Sequence, residues 1–189
     1  MTAYADIAVA VLAAGQGTRF GSDKLMADLN GRPIGLHIAQ TFEPIAFGWK
    51  FAVCRKNAAS SPHFSTTGFQ IVTNDRPEKG QARSLHLAVN AAAATDAQAL
   101  LVVLADMPFV SANHVAALVA AYGGATVGST NGHTPMPPAI FPRDAWPMLL
   151  AATGDAGARR LLADASLITA SPAELLDIDV LADLHDPPT

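Results

Sequence analysis

The chain has 189 residues and a formal net charge of −4, with 50% of its residues hydrophobic and 15% charged. That length suits one domain and buries a sizeable core without disulfides or a structural metal. No Lys/Arg run occurs, and no stretch approaches the ~20 apolar residues of a membrane span, so neither nucleic acid nor a membrane is an expected partner.

Cys54 is the single cysteine, which permits no intramolecular disulfide and fits a reducing, cytoplasmic location. Met1 to Asp6 lacks the basic region of a signal peptide. Ile7 to Ala13 is a continuous apolar run and reads as a strand buried on both faces of a parallel sheet. A polar, glycine-rich loop follows to Pro33, and Ile34 to Phe42 reads as a helix. Short strands are expected at Phe51 to Cys54 and Phe69 to Thr73, and a helix over Gln81 to Ala94. Ala99 to Leu104 is the second fully apolar strand.

Beyond it, Ser111 can cap a helix running to about Ala121. Ala125 to Gly128 and Ala139 to Phe141 read as further short strands. Asp155 can cap a helix to about Ala163, and Leu175 to Ile178 reads as a late strand. The alternation of strands and helices predicts an α/β fold, a layered sheet with helices on both faces, organised as one domain over residues 1–189.

The loop after the first strand is the most informative segment. It carries Gly15, Gly17 and Gly21 with two cations, Arg19 and Lys24. Ligands of open α/β sheets bind beyond the carboxyl ends of the strands, and glycines let backbone N–H groups approach phosphate oxygens. The Walker A pattern fails, because Phe20 stands where its second glycine is required. The dinucleotide fingerprint fits poorly, because Gly21 falls one residue late and no apolar helical stripe follows. A nicotinamide-dependent oxidoreductase therefore stays as an alternative reading.

Leu12-Ala13-Ala14-Gly15 through Arg19-Phe20-Gly21 to Lys24 resembles the signature loop of the MobA-like NTP transferases, L-A-[AG]-G-x-[GS]-x-R-[FM]-G-x-x-K. Its wording is most similar to the molybdenum cofactor cytidylyltransferase branch. The resemblance implies a three-layer α/β/α sandwich with a mostly parallel sheet, of the nucleotide-diphospho-sugar transferase type. It also implies a nucleotide held by Leu12, Ala13, Ala14, Gly15, Gly17, Arg19 and Lys24.

Asp106 lies just past the second apolar strand, in Leu104-Ala105-Asp106-Met107-Pro108. A carboxylate there can hold Mg²⁺ against phosphate oxygens, or can accept backbone N–H bonds within a turn. The same string occurs in the resembled family, where its Asp binds the catalytic metal. Asn74 through Leu85 is similar to the family's N-x₅-G-x₃-S-L segment, which implies base and sugar contacts from Asn74, Gly80 and Ser84. Gly154 through Leu162, with Asp155 and Arg159, resembles a segment near the acceptor in the cytidylyltransferase branch; a plain helix cap is the competing reading.

Near its end the chain reads Asp177-Ile178-Asp179-Val180-Leu181-Ala182-Asp183-Leu184 where the family has a pattern like D-I-D-T-P-E-D-L. Alternate residues of an extended segment share a face, so Asp177 or Asp179 could reach the site. Register favours Asp179 as the second metal ligand. The six histidines show no metal-ligand spacing, no G-x-S-x-G elbow occurs, and His133 reads as a surface loop residue.

These signals together predict a Mg²⁺-dependent nucleotidyltransferase, with Arg19, Lys24 and Asp106 as its catalytic residues. An NTP, CTP favoured and GTP the alternative, would pass its nucleotide to a phosphorylated acceptor and release pyrophosphate. By resemblance the acceptor is molybdopterin or its molybdenum-loaded form, and a molybdoenzyme is the candidate client. A non-catalytic nucleotide-binding or cofactor-escort protein is the remaining rival; intact Arg19, Lys24 and Asp106 speak against it.

Overall fold

The computed structural model describes residues 4–15, 23–153 and 161–179. One of its inner strands is the apolar run at the start, β1 (Ile7–Ala13), buried at every position. The remaining elements follow in chain order as β2 (Asp28–Leu29), β3 (Arg32–Pro33), α1 (Ile34–Phe42), β4 (Trp49–Arg55), α2 (Ser61–Thr66), β5 (Gln70–Asn74) and α3 (Gln81–Ala93). After these come β6 (Ala99–Leu104), α4 (Ala112–Ala121), β7 (Val127–Thr130), β8 (Pro135–Pro142), α5 (Trp146–Ala151) and β9 (Ser166–Thr169).

Seven strands form one sheet in the order β5-β4-β1-β6-β8-β7-β9, while β2 and β3 make a small separate hairpin. Only β8 runs against the rest, pairing antiparallel with both β6 and β7. From β1 the chain builds outward through β4 to β5, then returns to lay β6 on the other side of β1. That reversal makes a crevice at the carboxyl ends of β1 and β6, where α/β sheets of this kind take ligands.

The period-two alternation of β1 divides the core. Ile7, Val9 and Val11 pack with Ile38 of α1, Phe64 of α2 and Leu118 of α4. Ala8, Ala10 and Leu12 pack with Leu85 and Val89 of α3 and Leu149 of α5. Helices thus cover both faces, which is why the central strands read as unbroken apolar runs. The result is a three-layer α/β/α sandwich with a mostly parallel sheet.

Cations close the helix ends away from the crevice. Lys50 donates to the carbonyls of Phe42 and Glu43 at 2.8 and 2.7 Å, satisfying groups that α1 leaves open. Arg143 likewise donates to the carbonyls of Ala93, the last residue of α3, and of Thr95 and Ala97 beyond it, and stacks on Trp146.

Sequence expectations change in the second half of the chain. The strand expected at Ala139 to Phe141 extends back to Pro135, with a register shift opposite Gly128 and Ser129 where Pro137 and Pro138 lack the N–H for a ladder. Ser129 fills that gap by donating to the Pro138 carbonyl at 2.7 Å. No strand forms over Leu175 to Ile178: residues 172–175 are a turn, and the Ile178 N–H donates to the Asp106 carbonyl at 2.9 Å instead of to a sheet neighbour. The late strand is β9, an edge strand whose residues are mostly exposed. The helix expected after Asp155 falls largely outside the described residues.

A buried polar link joins α4 to this irregular half. Ser111 caps α4 by accepting the His114 N–H at 3.1 Å, and the His114 ring meets Ser129 Oγ at 2.8 Å. Because Ser129 spends its proton on Pro138, His114 donates from Nε2. Burial lowers the His114 pKa, opposed in part by the charge of Glu174. A group that resists protonation only when folded binds fewer protons in the native state, so stability falls as pH drops below the ordinary histidine value of about 6.5. Chemical unfolding measured between pH 7.5 and 5 should show this slope, and His114→Gln should reduce it. Identical slopes for both proteins would assign the pH dependence to other groups.

Candidate active site

The crevice holds a cavity of about 420 Å³, in the range of small-molecule sites. Leu12, Ala13, Ala14 and Gly15 form one wall as β1 ends, and Leu104, Ala105 and Asp106 form the next as β6 ends. The two strand ends are tied together, the Ala105 N–H donating to the Leu12 carbonyl at 3.1 Å. A Cβ built on Gly15 meets no described atom within 4 Å.

Lys24 enters from a single 3₁₀ turn, Lys24–Met26, which Asp23 caps by accepting the Leu25 N–H at 3.3 Å. Its Nζ donates to Asp106 Oδ2 at 2.7 Å and to Asp179 Oδ1 at 3.3 Å. Burial disfavours the charged amine, yet the two carboxylates together outweigh it and raise the Lys24 pKa above its ordinary value. Lys24 is therefore a fixed cation held between two carboxylates that lie 73 residues apart in the chain (179 minus 106).

Asp179 arrives there because its segment is stapled to the loop after β6. Glu174 accepts from both the N–H and the hydroxyl of Ser111, and Ile178 reaches the Asp106 carbonyl. Leu175 and Ile178 are buried in the core, which anchors the segment without sheet pairing. Asp177 is half-buried, and its pKa is raised by burial first and then by the neighbouring Asp106 charge.

The far wall comes from Pro77 and Glu78 of a 3₁₀ turn, Gly80, and Gln81 and Ser84 at the start of α3. Gly80 has φ +76°, a left-handed conformation that glycine adopts without strain. Asn74, expected to contact the ligand, does not line the cavity. It is fully buried behind the cavity, its Nδ2 donating to Ser84 Oγ at 3.1 Å and its Oδ1 accepting from the Arg76 N–H at 3.0 Å. It holds the wall in place, and Ser84 is the member of the pair that lines the cavity.

Gly17, Arg19, Asp155 and Arg159 lie outside the described residues. His133 sits exposed in the turn between β7 and β8, with its N–H bonded to Asn131. Sequence reasoning missed Asp23, Glu78 and Gln81 as lining residues; only Asp23, a helix-capping residue type directly before the turn, carried a local signal.

A strand-end crevice of this size, walled by glycines and holding a lysine against paired carboxylates, has the build of a nucleotide-handling α/β enzyme. The comparisons agree. The sequence model of the MobA-like NTP transferase domain matches residues 9–170. Purine catabolism protein PucB of Bacillus subtilis (strain 168) is 31% identical over 185 residues, covering 93% of this chain and 90% of PucB.

Among solved structures, the Rv0371c homologue from Mycobacterium sp. strain JC1 superposes with a TM-score of 0.78 at 21% identity, covering 95% of this chain and 93% of that one. The manganese complex of Rv0371c from Mycobacterium tuberculosis H37Rv superposes with a TM-score of 0.74 at 17% identity, covering 94% and 95%. This chain belongs to the MobA-like NTP transferase domain family, and its activity is nucleotidyl transfer.

Proposed function

We propose that this protein transfers CMP from CTP to the phosphate of molybdopterin, or of its molybdenum-loaded form, and releases pyrophosphate. The observation that carries this reading is the meeting of Gly15, Lys24, Asp106 and Asp179 at one crevice between β1 and β6. The whole chain acts as one nucleotidyltransferase unit in this reading, working in the cytoplasm with a molybdoenzyme as its client. PucB's name adds purine catabolism as the setting in which the product is used.

In this reading the backbone around Gly15 and the Lys24 ammonium steady the triphosphate, with Arg19 and Gly17 of the same loop assisting. The acceptor phosphate is already anionic, so attack on the α-phosphorus needs no general base. Catalysis is then positioning and charge stabilisation. Asn74 keeps Ser84 and Gly80 against the base and sugar. The donor set suits Mg²⁺, which uses one or two carboxylates together with substrate phosphates. Asp106 and Asp179 already share one cation, Lys24, at 2.7 and 3.3 Å. Mg²⁺ held by them would neutralise charge on the triphosphate. The manganese in the Rv0371c complex supports a divalent ion in a protein of this fold.

CTP is preferred over GTP in this reading because Ala14, where the guanylyl branch reads glycine, adds a methyl group to the cavity wall. One methyl discriminates by only about 1–3 kcal/mol, so the preference should be roughly 10- to 200-fold. Pyrophosphate release measured with CTP, GTP, ATP and UTP, each against a panel of phosphorylated acceptors, tests both halves of the proposal. Faster turnover with GTP removes the cytidylyl assignment, and turnover confined to non-pterin acceptors removes the molybdopterin one.

The second metal ligand is separately testable. Asp179→Ala should lower kcat by about tenfold or more, and Asp177→Ala far less, while nucleotide affinity without Mg²⁺ changes little in either. Equal small losses would mean that Asp106, phosphates and water complete the coordination alone.

A further inference from the structure

Asp23 puts a carboxylate into the wall of a cavity read here as a triphosphate site. A negative charge in that wall opposes an anionic ligand unless a neighbouring cation cancels it. Arg55, the last residue of β4, is that cation: its Nη2 lies 3.4 Å from Asp23 Oδ1. The two side chains are 29% and 21% exposed, so solvent and salt screen the pair only in part.

The same Oδ1 accepts the Leu25 N–H and thereby caps the turn that begins with Lys24. One carboxylate oxygen is thus shared between a guanidinium and the cap of the lysine's turn. The topology makes this meeting possible. β4 lies parallel beside β1 with Cys54 opposite Ala13, so Arg55 stands level with the point where β1 opens into its loop.

We propose that Arg55 is a positioning residue for NTP binding, which cancels the charge of Asp23 and holds it in its capping place so that Lys24 faces the triphosphate. The inference rests on the reading of this cavity as the NTP site. Arg55 acts through Asp23. Asparagine caps helical turns as well as aspartate does, so Asp23→Asn keeps the cap and removes the charge that Arg55 offsets.

The test is a double-mutant cycle on the full chain, with CTP affinity by calorimetry and kcat and KM from pyrophosphate release. Arg55→Ala should weaken CTP binding and raise KM about tenfold, with a smaller change in kcat. Adding Asp23→Asn to Arg55→Ala should restore affinity to within about threefold of Asp23→Asn alone, a coupling that additive, independent sites do not show. Arg55→Lys should retain most of the affinity, and thermal melting checks that each variant folds.

A merely structural arginine would leave the double variant as weak as Arg55→Ala, and so would an arginine that touches the nucleotide directly; either result overturns the inference. Wild-type affinity in Arg55→Ala overturns it as well. If wild-type protein binds no NTP at all, the function proposed above falls and takes this inference with it; CTP binding by wild type with no rescue in the double variant defeats this inference alone.

Discussion

Asp106→Asn is expected to lower kcat on the order of 10²–10³-fold while leaving the protein folded, the scale of losing one preorganised charge at a reacting phosphate. The structure separates the two roles of this residue. Its carboxylate faces Lys24 at 2.7 Å, whereas its backbone carbonyl holds Ile178 at 2.9 Å. Asparagine keeps the shape and the backbone bond and removes only the charge. The ion pair is partly exposed, so its loss should cost about 1 kcal/mol or less in unfolding free energy. Steady-state pyrophosphate release and denaturant unfolding on the same preparation check both halves. A variant that retains turnover at ordinary Mg²⁺ concentrations would make Asp106 a turn residue and place the metal elsewhere.

The second large effect belongs to Lys24→Ala. Loss of a charge-assisted contact to the triphosphate should cost roughly 1.5–3 kcal/mol, or about 10- to 150-fold in NTP affinity. The geometry adds an effect of opposite sign. In this structure the ammonium lies between Asp106 and Asp179, the two carboxylates proposed to hold the metal. Removing it leaves their charges uncompensated, so a divalent cation should bind more tightly to Lys24→Ala than to wild type when no nucleotide is present. Manganese titration followed by electron paramagnetic resonance reads this directly. Weaker nucleotide binding with tighter metal binding is the expected pair of results. Weakening of both would mean that Lys24 supports the site structurally.

The parts of the fold that were legible in the sequence are those whose environment is uniform. β1 and β6 are buried on both faces, so their apolar runs fixed their limits to the residue. Ile34–Phe42 carries a clean helical stripe, and Ser111 caps α4 as its residue type suggests. The less legible parts depend on distant partners. β9 is an exposed edge strand defined only by its pairing with β7. Leu175 and Ile178 resemble a strand because both are buried, yet their segment follows Glu174 to Ser111 and Ile178 to Asp106.

The site divides in the same way. That Gly15, Lys24 and Asp106 meet at one crevice could be anticipated because glycines, a cation and a carboxylate follow the two apolar strands. Asn74 stands out in its segment, but its burial and its bond to Ser84 are tertiary facts that the segment does not carry. Arg55 belongs to none of the motifs, and only the parallel pairing of β4 with β1 brings it to Asp23.

The reach of Lys24 also sets an order of assembly. Its two carboxylate partners follow it by 82 and 155 residues. During synthesis β1 and β4 can pair long before β6 emerges, and β6 before the segment that carries Asp179. Contacts so distant in sequence form late and slowly. The pair of carboxylates around Lys24 is therefore completed by the last described segment of the chain: a nascent protein halted after β9 contains every described strand of the sheet but lacks one side of the lysine's cage. On refolding, recovery of activity should trail recovery of the sheet signal in circular dichroism, so enzymatic turnover is a stricter measure of complete folding than secondary structure is.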